Sequence, residues 1–110
     1  MHKAQLSVVF VTDRKIRSLN KEFLQRDCST DVLAFDYTAQ HHQLDGEVVI
    51  SATTAYRNAR RFGTSSYEEL ILYVVHGILH LLGYDDHKFK DIKKMRAREK
   101  ELMLMINDEL

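Results

Sequence analysis

His76 and His80 stand four residues apart in the segment ILYVVHGILHLLGYDDH, residues 71–87. In a helix, residues i and i+4 share a face, so the two imidazoles fall on one stripe with Leu72 and Gly83. Two imidazoles so placed can reach one metal ion at about 2.0–2.1 Å each. Burying two side by side is costly unless each finds a partner, and a shared ion serves both. Gly83 stops the helix and lets the chain reverse, which brings Asp85, Asp86 and His87 within reach. A third ligand from Asp86 or His87 would leave one coordination position for water, the arrangement of catalytic rather than structural zinc. Such a water is a hydrolytic nucleophile near neutral pH, so His76 and His80 are candidate catalytic ligands. Zinc peptidases of the His-Glu-x-x-His type place a Glu after the first histidine as general base. Here that position is Gly77, which argues against peptide hydrolysis and leaves the base unassigned.

The elements that must hold these residues are readable from patterning. Gln5 to Thr12 is rich in β-branched residues and predicts a strand. Thr12 or Asp13 caps a helix ending near Gln25, with Ile16, Leu19, Asn20, Phe23 and Leu24 at helical spacing. Asp31 to Tyr37 alternates as a half-buried strand, and Thr38 to Leu44 reads as a loop or hairpin end that includes His41 and His42. Asp45-Gly46 is a turn signal before a short strand from Glu47 to Ile50. Ser51 caps a helix that ends at Gly63. Ser65 or Ser66 opens the apolar helix carrying the histidines, which runs to Leu82. A last helix from about Asp91 to Leu110 puts Ile92, Met95, Leu102, Met103 and Ile106 on one side. That order predicts an α+β fold, a small mixed sheet with helices packed on one face, in a single domain over residues 1–110.

Composition narrows the class. The 16 basic and 16 acidic side chains balance, so net charge points to no particular partner. The cations are nevertheless clustered. One group is Arg57, Arg60 and Arg61; another runs from Lys88 through Lys90, Lys93, Lys94, Arg96 and Arg98 to Lys100. No apolar run has the roughly 18–20 residues of a membrane span, and the N-terminal stretch lacks a signal-peptide core. Cys28 is the only cysteine, so no disulfide framework is expected and a reducing cytosol is the natural compartment. Cys28 itself reads as an inert loop thiol, Thr30 and Asp31 as a strand-start cap or a site wall.

Residues His76 to Asp85, HGILHLLGYD, resemble the signature of the YbeY endoribonucleases, bacterial rRNA maturation factors. Ser29 to Phe35 is similar to that family's Pro-Thr-Asp-Val-Leu-Ser-Phe segment, Gly46 to Ser51 to its Gly-Asp-Ile-Val-Ile-Ser strand, and Met95 to Glu99 to its C-terminal helix. The resemblance spans nearly the whole chain. It implies a metzincin-like α+β fold with one zinc ion per chain. It also implies cleavage of single-stranded RNA, maturation of the 3′ end of small-subunit rRNA, ribosome quality control, and a cytoplasmic protein that meets the small ribosomal subunit. It gives substrate-binding weight to Arg57, Arg60 and Arg61. Asp86 stands in register with the family's third histidine ligand, and His87 falls one residue later. Leu24 stands where the family has an arginine, and Arg26, two residues on, is the substitute candidate. Ser29 replaces the family's proline. The chain opens on what resembles the family's second strand, so the sheet is expected to lack one edge strand and part of its cover.

Overall fold

The computed structural model describes residues 3–39 and 43–109. His41 and His42 lie outside them. β1 (Lys3–Val11) leads into α1 (Asp13–Leu24), then β2 (Val32–Asp36), β3 (Gln43–Ser51), α2 (Ala52–Phe62), α3 (Ser66–Leu81) and α4 (Phe89–Glu109). The strands form one sheet in the order β1-β3-β2, with β1 parallel and β2 antiparallel to β3.

The expected caps are in place. The side chains of Thr12, Ser51 and Ser65 accept from the backbone N–H groups of Lys15, Thr54 and Glu68, opening α1, α2 and α3. Gln25 and Gly63 close α1 and α2 in the left-handed region, at φ 57° and 70°. One expectation fails locally. Asp45-Gly46 is no turn but lies inside β3, which starts at Gln43 rather than Glu47. Gly46 is there for space: a Cβ on it would sit 2.7 Å from Leu81 Cδ1.

The α+β class and the small mixed sheet stand, but the cover is two-sided. Side chains alternate along β3. Val48 and Ile50 point into a core with Ala55, Tyr73 and Leu81, so α3 covers that face. Val49 points the other way and joins Leu33 and Ile16, so α1 covers the opposite face. The reason is that β2 and β3 are apolar on both faces near the centre of the sheet. On the other side of α3, Val75 and Leu79 pack on Met95 of α4, with Tyr84, Leu102 and Ile106 around them. α3 is thus apolar almost all round because it is the central element, and only the stripe bearing His76 and His80 is left for chemistry. β1 is a sheet edge, and Leu6, Val8, Val9 and Phe10 on it are 37–55% exposed. Among the described residues, no helix is long and apolar enough to cross a membrane.

Candidate metal centre

His76 and His80 lie one turn apart near the C-terminal end of α3, both half-buried. Their Nε2 atoms face each other at 3.1 Å. The helix closes with the Gly83 N–H donating to the His80 carbonyl and the Tyr84 N–H to that of Leu79, each at 3.0 Å. Gly83 takes φ +100°, a conformation that side chains rarely allow, and this reverses the chain. Asp85 then holds the turn, its Oδ1 accepting from the backbone N–H groups of Asp86 at 2.7 Å and His87 at 3.1 Å.

That turn sets Asp86 Oδ2 at 3.4 Å from His80 Nε2 and 3.6 Å from His76 Nε2. The three donor atoms form a triangle with sides of 3.1, 3.4 and 3.6 Å. Three ligands of a tetrahedral zinc at about 2.0–2.1 Å would be separated by about 3.3–3.4 Å. Two imidazoles and a carboxylate are also a known catalytic zinc set, with the fourth position open to water. The donors present therefore fit the ion. His87 is not in the triangle; its Nε2 lies 3.4 Å from Asp85 Oδ1 on an exposed part of the loop.

The second nitrogen of His76 is engaged as well. Nδ1 lies 2.6 Å from Glu99 Oε1 of α4, within hydrogen-bond distance. Burial of the ring lowers the His76 pKa, but the Glu99 carboxylate, with the charges of Asp31 and Asp86, more than offsets this and holds it above the ordinary imidazole value. Sequence reasoning missed Glu99. The signal was the stripe Ile92, Met95, Glu99, Leu102, Ile106, spaced 3-4-3-4, with one carboxylate in an apolar seam.

Two cavities meet at the cluster. The smaller, about 160 Å³, is lined by His76, Asp86, Arg96 and Glu99. The larger is an open groove of about 590 Å³ that passes His80, Asp86 and His87 and continues along Thr30, Arg26 and Leu24. Arg26 thus shares a groove with the donor atoms. Cys28 lines it too, with its carbonyl accepting from Asn20 Nδ2 at 3.0 Å. Arg57, Arg60 and Arg61 line neither cavity. They lie on α2, where the Arg57 guanidinium donates to Asp13 while Arg60 and Arg61 lie over the rings of Tyr56 and Phe62. Gly77 faces away from the donors, toward the sheet: a Cβ on it would be 2.6 Å from Val48 Cγ1 and 3.3 Å from Val32 Cγ2. A Glu at that position has no room. Tyr84 packs between α3 and α4.

The chain is similar to known proteins along nearly its whole length. The family model for "Endoribonuclease YbeY" matches residues 1–107. A protein of that name from Anaeromyxobacter dehalogenans is 48% identical over 90% of this chain and 52% of its own length. Its namesake in Aquifex aeolicus is 40% identical over all of this chain and 75% of its own length. The chain therefore spans about half the length of the first relative and three quarters of the second. A solved solution structure from Thermotoga maritima is 34% identical and superposes with a TM-score of 0.62, over 89% of this chain and 65% of that one.

Proposed function

The chain belongs to the YbeY endoribonuclease family, and from that premise we propose that it is a zinc-dependent endoribonuclease of single-stranded RNA, acting in one domain spanning residues 1–110. The observation that carries the reading is the triangle of His76 Nε2, His80 Nε2 and Asp86 Oδ2 at 3.1–3.6 Å. When bound, zinc supplies Lewis-acid polarisation of the scissile phosphate and a water nucleophile at neutral pH. His76, His80 and Asp86 hold that ion. The open groove beside His80 admits an extended strand, and Arg26 within it holds a backbone phosphate. Arg96, in the adjoining cavity, offers a second cation beside the scissile group. Arg60 and Arg61 serve a more distant stretch of the same RNA, while Arg57, beside them on α2, is paired with Asp13. Maturation of the small-subunit rRNA 3′ end and ribosome quality control, in the cytoplasm and on the small subunit, are the proposed setting.

A second reading keeps the zinc and the RNA but loses the catalysis. Leu24 favours it, because an apolar side chain lines the groove at the position where the family resemblance implies an arginine. Peptide hydrolysis is disfavoured, because the position of a peptidase base is packed against Val48.

Zinc content and cleavage of a single-stranded RNA, measured on the parent and on His76→Ala, separate these readings. Bound zinc with cleavage that His76→Ala abolishes supports the endoribonuclease. Zinc without cleavage leaves the binding protein. A metal-free parent overturns both.

A further inference from the structure

We propose that Glu99 is a positioning residue for the metal centre: its buried carboxylate fixes the proton of His76 on Nδ1 and so presents the Nε2 lone pair to the ion. The proposal rests on the metal reading above and assigns a role to a residue outside the donor triangle.

The geometry divides the two nitrogens of His76. Nδ1 lies 2.6 Å from Glu99 Oε1, while Nε2 faces His80 and Asp86 at 3.1 and 3.6 Å. An ionised carboxylate only accepts hydrogen bonds, so the proton between this pair belongs to Nδ1. The neutral ring then carries its lone pair on Nε2, which is the tautomer a metal ligand needs. His80 has no such arrangement: among the described residues, no side chain bonds its Nδ1.

The burial of Glu99 makes a purely structural role a poor explanation. The residue is 5% exposed, on the seam where Met95, Leu102 and Ile106 pack against α3. A leucine there would continue the seam and avoid the desolvation of a charge. The carboxylate is kept in the seam, and its one side-chain hydrogen-bond partner among the described residues is His76. Docking of α4 on α3 through Met95, Val75 and Leu79 delivers it there. Outer-shell carboxylates of this kind orient a ligand ring and raise its basicity, and their loss typically costs about 10–100-fold in metal affinity.

The test uses the full chain with Glu99→Gln, which is isosteric, and Glu99→Ala. Zinc affinity is measured by competition with a chromophoric chelator, and folding of the metal-free proteins by circular dichroism and thermal unfolding. A carboxamide can donate to Nδ1 and leave the proton on Nε2, so Glu99→Gln is expected to fold like the parent and bind zinc about 10–100-fold more weakly. Long-range ¹H–¹⁵N NMR of the metal-free chain supplies a readout independent of metal. It is expected to show His76 protonated on Nδ1 in the parent and to lose that preference in Glu99→Gln. Equal zinc affinity in parent and Glu99→Gln overturns the proposal, as does a parent ring protonated on Nε2. A parent that takes up no zinc at all overturns the metal reading and this one with it.

Discussion

Thr54 donates its hydroxyl to Asp13 Oδ1 at 2.7 Å across 41 positions of sequence. The same oxygen accepts from Ser51 at 2.9 Å and Ser29 at 3.0 Å, and Oδ2 is paired with Arg57. One carboxylate at the start of α1 therefore ties together α2, the end of β3 and the segment before β2, which borders the groove.

The hydroxyl of Thr54 and the guanidinium of Arg57 hold the Asp13 carboxyl well below the usual carboxylate range, against the opposing effect of burial. A carboxyl with a depressed folded pKa contributes stability that is present above its unfolded value of 3.8 and is lost as pH falls toward the folded one. Asp13→Asn is expected to lower stability by roughly 1.5–3 kcal/mol at pH 7, the range for a charge-assisted hydrogen bond. Thermal unfolding of parent and variant across pH tests this: the gap should narrow below about pH 4. A gap that stays constant with pH would show that the charge of Asp13 is not what matters.

Gly77→Ala is expected to destabilise the fold by about 1–3 kcal/mol, the usual cost of overpacking. Alanine is the better helix former by about 1 kcal/mol, so propensity alone predicts the opposite sign. Packing wins because Val48 is fully buried and cannot yield to a Cβ at 2.6 Å. Urea unfolding decides between them. A midpoint equal to or above the parent's would mean that α3 can lift off the sheet freely.

Asp86→Ala is expected to weaken zinc binding by at least about 100-fold, beyond the 10–100-fold typical of a lost outer partner. His87→Ala should change it little, since its ring lies with Asp85 and outside the donor triangle. Chelator competition on the two variants gives the order directly. The reverse order would make His87 the ligand and require the loop to rearrange.

Arg26→Ala is expected to weaken binding of single-stranded RNA and to lower the salt slope by about 0.7, one phosphate contact. Arg60→Glu with Arg61→Glu should also reduce the slope without altering zinc content, because these side chains lie on α2 away from the donors. Fluorescence anisotropy across a salt series measures both. An unchanged slope in Arg26→Ala would exclude the groove as the RNA path.

Most of the frame was legible because it depends on local rules. The caps at Thr12, Ser51 and Ser65 and the stops at Gly63 and Gly83 follow from side-chain and backbone chemistry within a few residues. The spacing of His76 and His80 needed only the helical period. What escaped was tertiary. Gly46 looked like half of a turn because nothing local shows that Leu81 will press on it. The two-sided cover was hidden because a continuous apolar strand does not say which neighbour takes which face. Glu99 was missed because its partner lies 23 positions earlier, on another helix. The position of Arg57 carries the same lesson, since a cationic cluster on paper contains one side chain committed to Asp13.

The centre is assembled from pieces that are not made together. As the chain is synthesised, α3 with both histidines emerges first, the turn bearing Asp86 follows, and α4 with Glu99 comes after both. A nascent chain with its histidines already outside the exit tunnel still lacks the helix that carries Glu99. The three donors of the triangle are therefore complete in the chain before α4, and the carboxylate facing His76 Nδ1 arrives last.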